Sequence, residues 1–436
     1  MSQAYSNLEN IVALAKRRGF IYPSAEIYGG INGIYDTGNL GVLLKENIKK
    51  LWLSSLSNTH GDILRFDGAQ LGPEAVWRAS GHIENFSDPM VDCLECKKRF
   101  RADEINLEKA CTNCGKKNWT EPRAFNLMFK TQLGAMSGSA SDAYLRPETA
   151  QSIFINFKNI ISTNRTKIPF GVAQIGKAFR NEITPKQFLF RMREFEQMEL
   201  EWFCTDKGSD DFFTYWLNKR LVFYHTYGIN PEHIRLRPHE QTELSHYSRQ
   251  TTDVEYLFPF GWKEMEGIAH RGTFDLTQHS THSGKEMSVY DEEAKASYIP
   301  TVIECSVGLD RLFLMFLCNA YQEDTLEDET RVVLKLHPKV APITAAILPL
   351  TNKLRSPVEK LYEILQAQGY SVTYDVSGSI GKRYRRQDEI GTPYCFTYDF
   401  DSETDQQITV RDRDTAKQER ISIDRITQYL DSKLKI

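Results

Sequence analysis

Between residues 190 and 201 the chain reads Phe190-Arg191-Met192-Arg193-Glu194-Phe195-Glu196-Gln197-Met198-Glu199-Leu200-Glu201, a charged run with a period of two. Side chains on an extended strand alternate faces, so Arg191, Arg193, Phe195, Gln197, Glu199 and Glu201 share one side. That face passes from guanidinium through an aromatic ring and an amide to carboxylates. Arginine forks pair with phosphate oxygens and carboxylates pair with ammonium groups. The gradient therefore suits a ligand with phosphates at one end, a flat base in the middle and an ammonium at the other. An exposed strand laced with cross-strand ion pairs has the same pattern. Residues 168–203 as a whole read as two extended runs parted by Thr184-Pro185, where proline removes a donor and forces a turn.

Around this segment the spacing predicts a helix over residues 41–56, with Val42, Leu43, Ile48, Leu51 and Trp52 near helical period, then a strand over 62–71 ending at Gly72-Pro73. Residues 87–124 form a polar, cysteine- and lysine-rich insert. A second insert with helical character is expected at about 205–250, and further strands over 252–276. Ile303-Glu304-Cys305-Ser306-Val307-Gly308-Leu309-Asp310-Arg311 reads as a strand running into a helix, and residues 309–317 are apolar almost all round, as in a buried helix. Glycine lets backbone approach a ligand closely, and Arg311 is on the wrong end of a helix for the dipole, so it fits an anionic or stacked ligand. A boundary near His337-Pro338 divides a domain of residues 1–336 from an α/β domain of 337–436. In the second, Ser356-Pro357-Val358-Glu359 reads as a capping box and Gly369 as a helix end. Strands are expected at 345–350, 370–376, 394–400 and 407–413, and a last helix at 424–434.

Eight cysteines fall into two sets. Cys93, Cys96, Cys111 and Cys114 form two CxxC knuckles fourteen residues apart, a spacing that suits a structural tetrahedral Zn²⁺ with no open position for water. The other four are scattered, as in a reducing compartment. Residues 1–20 carry Lys16, Arg17 and Arg18 and do not read as a signal peptide, and no apolar run is long enough to span a bilayer, so the cytoplasm is expected. With a net charge of −4 the chain has no global basic field, and nucleic acid would have to be met by local patches. Neither a phosphate-binding GxxxxGK[ST] loop nor a dinucleotide fingerprint is present, so a nucleotide would be held on a sheet by arginines.

These pieces, in this order, resemble the class II aminoacyl-tRNA synthetases: a long helix and strand ending in proline, here residues 41–73; an FRxE–loop–RxxxF hairpin; and GxDR at Gly308 to Arg311. Within that class the chain is similar to the glycyl-tRNA synthetase family of homodimeric type. The likeness is carried by Ile27-Tyr28-Gly29-Gly30, Ala79-Ser80-Gly81-His82, Arg146-Pro147-Glu148-Thr149-Ala150-Gln151, Phe179-Arg180-Asn181-Glu182-Ile183-Thr184-Pro185, Arg193 to Glu199, Leu244-Ser245-His246-Tyr247-Ser248 and Gly381-Lys382-Arg383-Tyr384-Arg385-Arg386-Gln387-Asp388. It covers essentially the whole chain.

The resemblance implies an α/β (α+β) fold: an antiparallel sheet flanked by helices, a zinc-ribbon-like insert, and a C-terminal α/β anticodon-binding domain. It implies ATP-dependent activation of glycine to glycyl-adenylate and transfer to the 3′ end of tRNA(Gly) by a cytoplasmic homodimer, with Mg²⁺ accompanying ATP and no membrane partner. Arg180, Glu182 and Arg311 would be catalytic. Arg180 would hold the α-phosphate and Glu182 the adenine amino group, with Phe195 and Arg311 sandwiching the ring. Arg191 or Arg193 would meet the outer phosphates and Arg271 would be a further phosphate-facing arginine. Asn181, Phe190, Met265 and Gly308 would complete the ATP site, with Glu264 contacting ATP or its metal. Glu148, Gln197, Glu199, Glu304 and Ser306 would form the glycine pocket, reached by Arg101. Lys382, Arg383, Tyr384, Arg385 and Arg386 would bind tRNA. Two positions depart from the family pattern, Asn39 before the interface helix and Cys305 beside the pocket, and Cys305 puts the pocket geometry in doubt. The alternative is a catalytically inactive synthetase-like accessory protein that binds nucleic acid.

Overall fold

The structure, a computed structural model, describes residues 7–103, 105–134, 141–245, 247–326 and 329–434. His246 in the Leu244–Ser248 string, Glu327, Asp328 and residues 1–6 lie outside the described residues. The central sheet is built from β1 (Ile63–Phe66), β2 (Phe170–Phe179), β3 (Glu194–Cys204), β4 (Ile234–Pro238), β5 (Gln250–Phe258), β6 (Gly261–Gly272) and β7 (Thr301–Gly308). Their order is β4-β5-β6-β7-β3-β2-β1, antiparallel throughout except the β1–β2 edge pair. The alternation expected of β3 is real: Phe195, Gln197 and Glu199 line a cavity, whereas Met198, Leu200 and Trp202 turn into the main core.

Helices cover the core face. In α1 (Asn39–Ser55) Leu44, Ile48 and Trp52 are buried at four-residue spacing. The short helices α2 (Glu74–Ala79) and α3 (His82–Asn85) follow, then α4 (Ala150–Ile155), α5 (Ser209–Thr226), α6 (Phe274–Ser283) and α7 (Leu309–Ala320). Nearly every residue of α7 is buried, which accounts for its apolar surface all round.

One expectation for this half changes. The run at 62–71 is two strands in two sheets, β1 and a short strand Leu71–Pro73 that pairs with Ser141–Leu145. The segment expected as a second insert packs against the main core. Phe213, Trp216, Phe223 and Tyr224 of α5 pack into it, and β4 is the edge strand of the main sheet. Its polar outer face concealed a buried helical stripe.

In the C-terminal half a five-stranded sheet orders β8 (Ala345–Pro349), β9 (Val372–Tyr374), β10 (Tyr394–Tyr398), β11 (Gln407–Asp412) and β12 (Gln418–Ser422) as β9-β8-β10-β11-β12. The parallel pairs are bridged by α8 (Arg355–Ala367) and α9 (Ile380–Ile390), and α10 (Ile426–Leu434) closes the chain. The capping box does not form. A 3-10 turn at Asn352–Leu354 feeds α8 from Arg355, leaving Ser356 inside the helix. Gly369, at φ +88°, ends α8 as expected.

Candidate active site

A cavity of ≈ 450 Å³ opens over the middle of the central sheet. One end is lined by carboxylates. Glu199 of β3 lies opposite Ser306 of β7, and Glu201 opposite Glu304, so the register sets four polar side chains in two adjacent rows. Glu148, just before α4, enters from above the sheet. Across β6 the same rows continue through Gly267 and Ala269, which keep the floor open.

Each carboxylate is held differently. Glu199 accepts from the backbone and hydroxyl of Thr149, from Gln197 at 3.1 Å and from Ser306 at 2.6 Å. Glu304 accepts from Arg271 Nη1 at 2.6 Å, and Arg271 is itself gripped by Asp275 through two bonds of 2.7 and 2.8 Å. Gln151 Nε2 donates to both Glu148 and Asp275 at 2.9 Å, while its carbonyl faces His279 Nε2 at 2.8 Å. Burial pushes Glu304 up to about 8 despite Arg271. Burial and then the Glu148 charge raise Glu199, and burial with Glu304 beside it holds Glu201 well above the carboxylate range. For Glu148 burial acts upward, but His82 and Arg271 outweigh it and hold the carboxyl low. This end of the cavity is short of positive charge, and a cationic ligand group would relieve it.

The other end is aromatic and cationic. The Arg180 guanidinium stacks between Phe86 and Phe195, each ring 5.3 Å away, and donates to Pro147 O. Arg311 lies over Phe190 at 4.6 Å and pairs with Glu264 at 3.2 Å. Glu182, its carboxyl raised by burial, shares the cavity with Arg191 and with Arg101, which the insert strand Arg99–Arg101 presents and Asp88 holds at 2.8 Å. Thus Arg101, Glu148, Arg180, Glu182, Phe190, Arg191, Phe195, Gln197, Glu199, Glu264, Glu304, Ser306, Gly308 and Arg311 converge on one cavity.

Four expected ATP contacts do not line it. Arg271 is 1% exposed and bound to Asp275 and Glu304, a buried counter-ion on the carboxylate side. Arg193 donates to the carbonyls of Glu182 and Asn32, tying the hairpin loop to residues 32–33. Met265, next to Glu264 on a strand, turns into the core. Asn181 lies outside the cavity lining, its backbone N–H donating to Leu127 O. Cys305 alternates away from Glu304 and Ser306 into the main core, which removes the doubt it raised about the pocket. Sequence reasoning missed Thr149, Gln151, Asp275 and His82, although the first two and His82 stand inside strings that carried the resemblance. It also missed His239 and Asp253, a 2.8 Å pair on the cavity wall whose carboxyl burial and Glu264 push up to about 6.

Two further sites were expected. The sulfurs of Cys93, Cys96, Cys111 and Cys114 all lie within 4.8 Å of one another, with Cys93–Cys114 at 3.6 Å and Cys96–Cys111 at 3.8 Å. Tetrahedral Zn–S bonds of about 2.3 Å imply S···S edges of about 3.8 Å, so the four thiols fit zinc. The tRNA cluster on α9 is different. Arg383 is 3% exposed and donates to the carbonyls of Pro349, Asp375 and Leu350. The Tyr384 hydroxyl bonds Thr397 and one face of its ring lies against Arg411. Arg385 pairs with Glu329 and Arg386 with Asp375, while Lys382 is exposed.

An antiparallel sheet carrying an arginine-and-aromatic cavity, the hairpin Arg180 to Phe195 and Arg311 at a helix start define the core of a class II aminoacyl-tRNA synthetase. Residues 129–320 match the family model described as "tRNA synthetase class II core domain (G, H, P, S and T)", and residues 344–433 match "Anticodon binding domain". The chain is 50% identical to the glycine--tRNA ligase of Caldanaerobacter subterraneus subsp. tengcongensis and 51% to that of Acetivibrio thermocellus, in each case over 98% of both chains. With the Borreliella afzelii glycine--tRNA ligase it shares 50% identity over 98% of this chain and 97% of the relative. The chain belongs to the glycine--tRNA ligase family. Among the described residues no helix is long and apolar enough to cross a membrane.

Proposed function

We infer that this protein activates glycine with ATP to glycyl-adenylate and transfers the glycyl group to the 3′ end of tRNA(Gly). The observation that carries the reading is the cavity's polarity: carboxylates short of positive charge at one end, Arg180, Arg191 and Arg311 with Phe195 at the other. The glycine ammonium docks between Glu148 and Glu304. Glu199, already accepting from four protein donors, acts as the pocket wall that leaves no room beyond the α-carbon. A carboxylate oxygen of glycine attacks the α-phosphorus, and the bond to pyrophosphate breaks. Arg180, preset by its two rings and Pro147 O, faces the charge that develops on the α-phosphate. Adenine lies between Phe195 and Arg311 near Glu182. Glu264 would face Mg²⁺ accompanying ATP, which would supply charge neutralisation at the outer phosphates. A ribose hydroxyl at the tRNA end then attacks the glycyl carbonyl, and AMP leaves.

The four cysteines hold a structural zinc. The active form is a cytoplasmic homodimer, a reading supported by Tyr22, Ile27, Tyr28 and Ile31, large side chains 46–89% exposed in the segment leading to α1.

The test is glycine-dependent exchange of labelled pyrophosphate into ATP, with alanine and serine as controls and Arg180→Ala alongside. Exchange with glycine alone, lost in Arg180→Ala, is expected. Absence of exchange from the folded, zinc-loaded protein would transfer the assignment to a non-catalytic accessory protein.

A further inference from the structure

Ser80, Gly81 and His82 form the turn between α2 and α3, outside the three motifs that define the synthetase class. Gly81, at φ +79°, takes a conformation that other residues rarely adopt and so swings His82 back under the chain. His82 is 9% exposed, its ring edge-on to Trp77 at 5.6 Å and tilted against Phe86 at 5.7 Å. Its Nδ1 is 2.8 Å from Ser80 Oγ, and its Nε2 is 3.4 Å from Glu148 Oε2. With Nδ1 beside Ser80 Oγ, whose hydroxyl also lies 3.4 Å from Trp77 O, a proton on Nε2 aims at Glu148. The other oxygen of Glu148 accepts from Gln151. Glu148 is thereby held from two directions, and its attraction to His82 helps keep it charged. The same turn carries Phe86, one of the two rings that stack Arg180.

We propose that His82, fixed by Ser80 and Gly81, is a positioning residue for glycine: it holds Glu148 at the angle that receives the α-ammonium. The inference rests on the carboxylate end of the cavity being the glycine pocket. His82 touches neither ATP nor the reacting atoms, so its removal acts on glycine affinity alone. The mechanism also sets a length requirement. A glutamine amide nitrogen reaches about where imidazole Nε2 does, whereas an asparagine amide stops near Nδ1.

The experiment is pyrophosphate exchange by the full-length protein with glycine and ATP titrated separately, for wild type, His82→Ala, His82→Asn, His82→Gln and Ser80→Ala. Glycine-dependent exchange by the wild type stands or falls independently of this proposal and tests the pocket reading. In His82→Ala the KM for glycine rises about ten-fold or more, while kcat and the KM for ATP stay within about two-fold. His82→Gln recovers most of the loss, His82→Asn does not, and Ser80→Ala, which keeps the ring, loses an intermediate amount. The proposal is overturned by an unchanged glycine KM in a folded His82→Ala protein, or by equal rises in both KM values. A glutamine variant no better than alanine also overturns it. If His82→Ala does not fold, Ser80→Ala and His82→Gln decide by the same split.

Discussion

Glu199 and Glu304 border the same pocket, yet only one can take a new partner. Four protein donors occupy Glu199, whereas Glu304 has Arg271 on one oxygen and the cavity on the other. An ammonium needs the carboxylate, and burial keeps a proton on Glu304 up to about 8. Below that pH glycine must displace the proton; above it the site is already charged. The apparent KM for glycine should therefore fall as pH rises from 6.5 to 8 and level off beyond, with kcat/KM gaining up to about ten-fold per unit in the lower part. Glycine titrations across that window, with Glu304→Gln as the flat, weak-binding control, check it; a KM that ignores pH would sink the assignment. Strand alternation made Phe195, Gln197 and Glu199 legible in the sequence. Their partners were not, because Thr149 is fifty residues from Glu199 and meets it only across the fold. The partners of Arg271 were hidden for a related reason. A residue string shows that an arginine is present but not whether Asp275, four residues on, turns it inward.

At the scale of elements, the cysteine insert was readable because its constraint is local: two knuckles bring four thiols together whatever surrounds them. The helical character of α5 was readable too, but strand β4 was not, since it is a strand only by pairing with β5 of the main sheet. The insert also reaches the chemistry. Its strand Arg99–Arg101 pairs with Ser87–Asp92, and this places Arg101 against Asp88 at the cavity wall. Stripping zinc with a chelator, or Cys111→Ser, should melt residues 87–124 while the central sheet stays folded. Exchange activity should drop about ten-fold as Arg101 loses its place. Metal content by atomic absorption, hydrogen exchange over the insert and the exchange rate together test this. A melted insert with full activity would show that Arg101 has no part in the reaction.

The molecule as a whole is joined through α9, the helix whose basic run was expected to meet tRNA. One face of α9 packs on the C-terminal sheet, where Arg383 and Tyr384 are consumed, and another meets the catalytic half. Asp388, fully buried, accepts from Arg411 at 2.8 and 3.1 Å and from Arg331 at 3.5 Å. Arg331 also binds Asp324 and the carbonyl of Arg413, while Arg413 reaches Leu336 O at 2.8 Å. Glu389 pairs with Arg17 and Arg18. A run of cations in sequence reads alike whether it is solvated or spent on internal acids; only the fold that brings residues 17, 331 and 411 to the same helix decides. Asp388→Ala leaves the Arg411 guanidinium buried without its partner and takes one acceptor from Arg331, a cost of about 3–5 kcal/mol in such settings. The cost falls on the junction, not on the cavity. Adenylate formation needs the catalytic half alone, but charging needs tRNA held by both halves. Asp388→Ala should accordingly keep glycine-dependent exchange within about two-fold and lower tRNA charging about ten-fold or more, with faster hydrogen exchange at residues 380–390 and 329–334. Equal losses in both assays would mean that the junction supports the cavity itself. No loss in either would mean that the anticodon-binding half finds its place on tRNA without this strut.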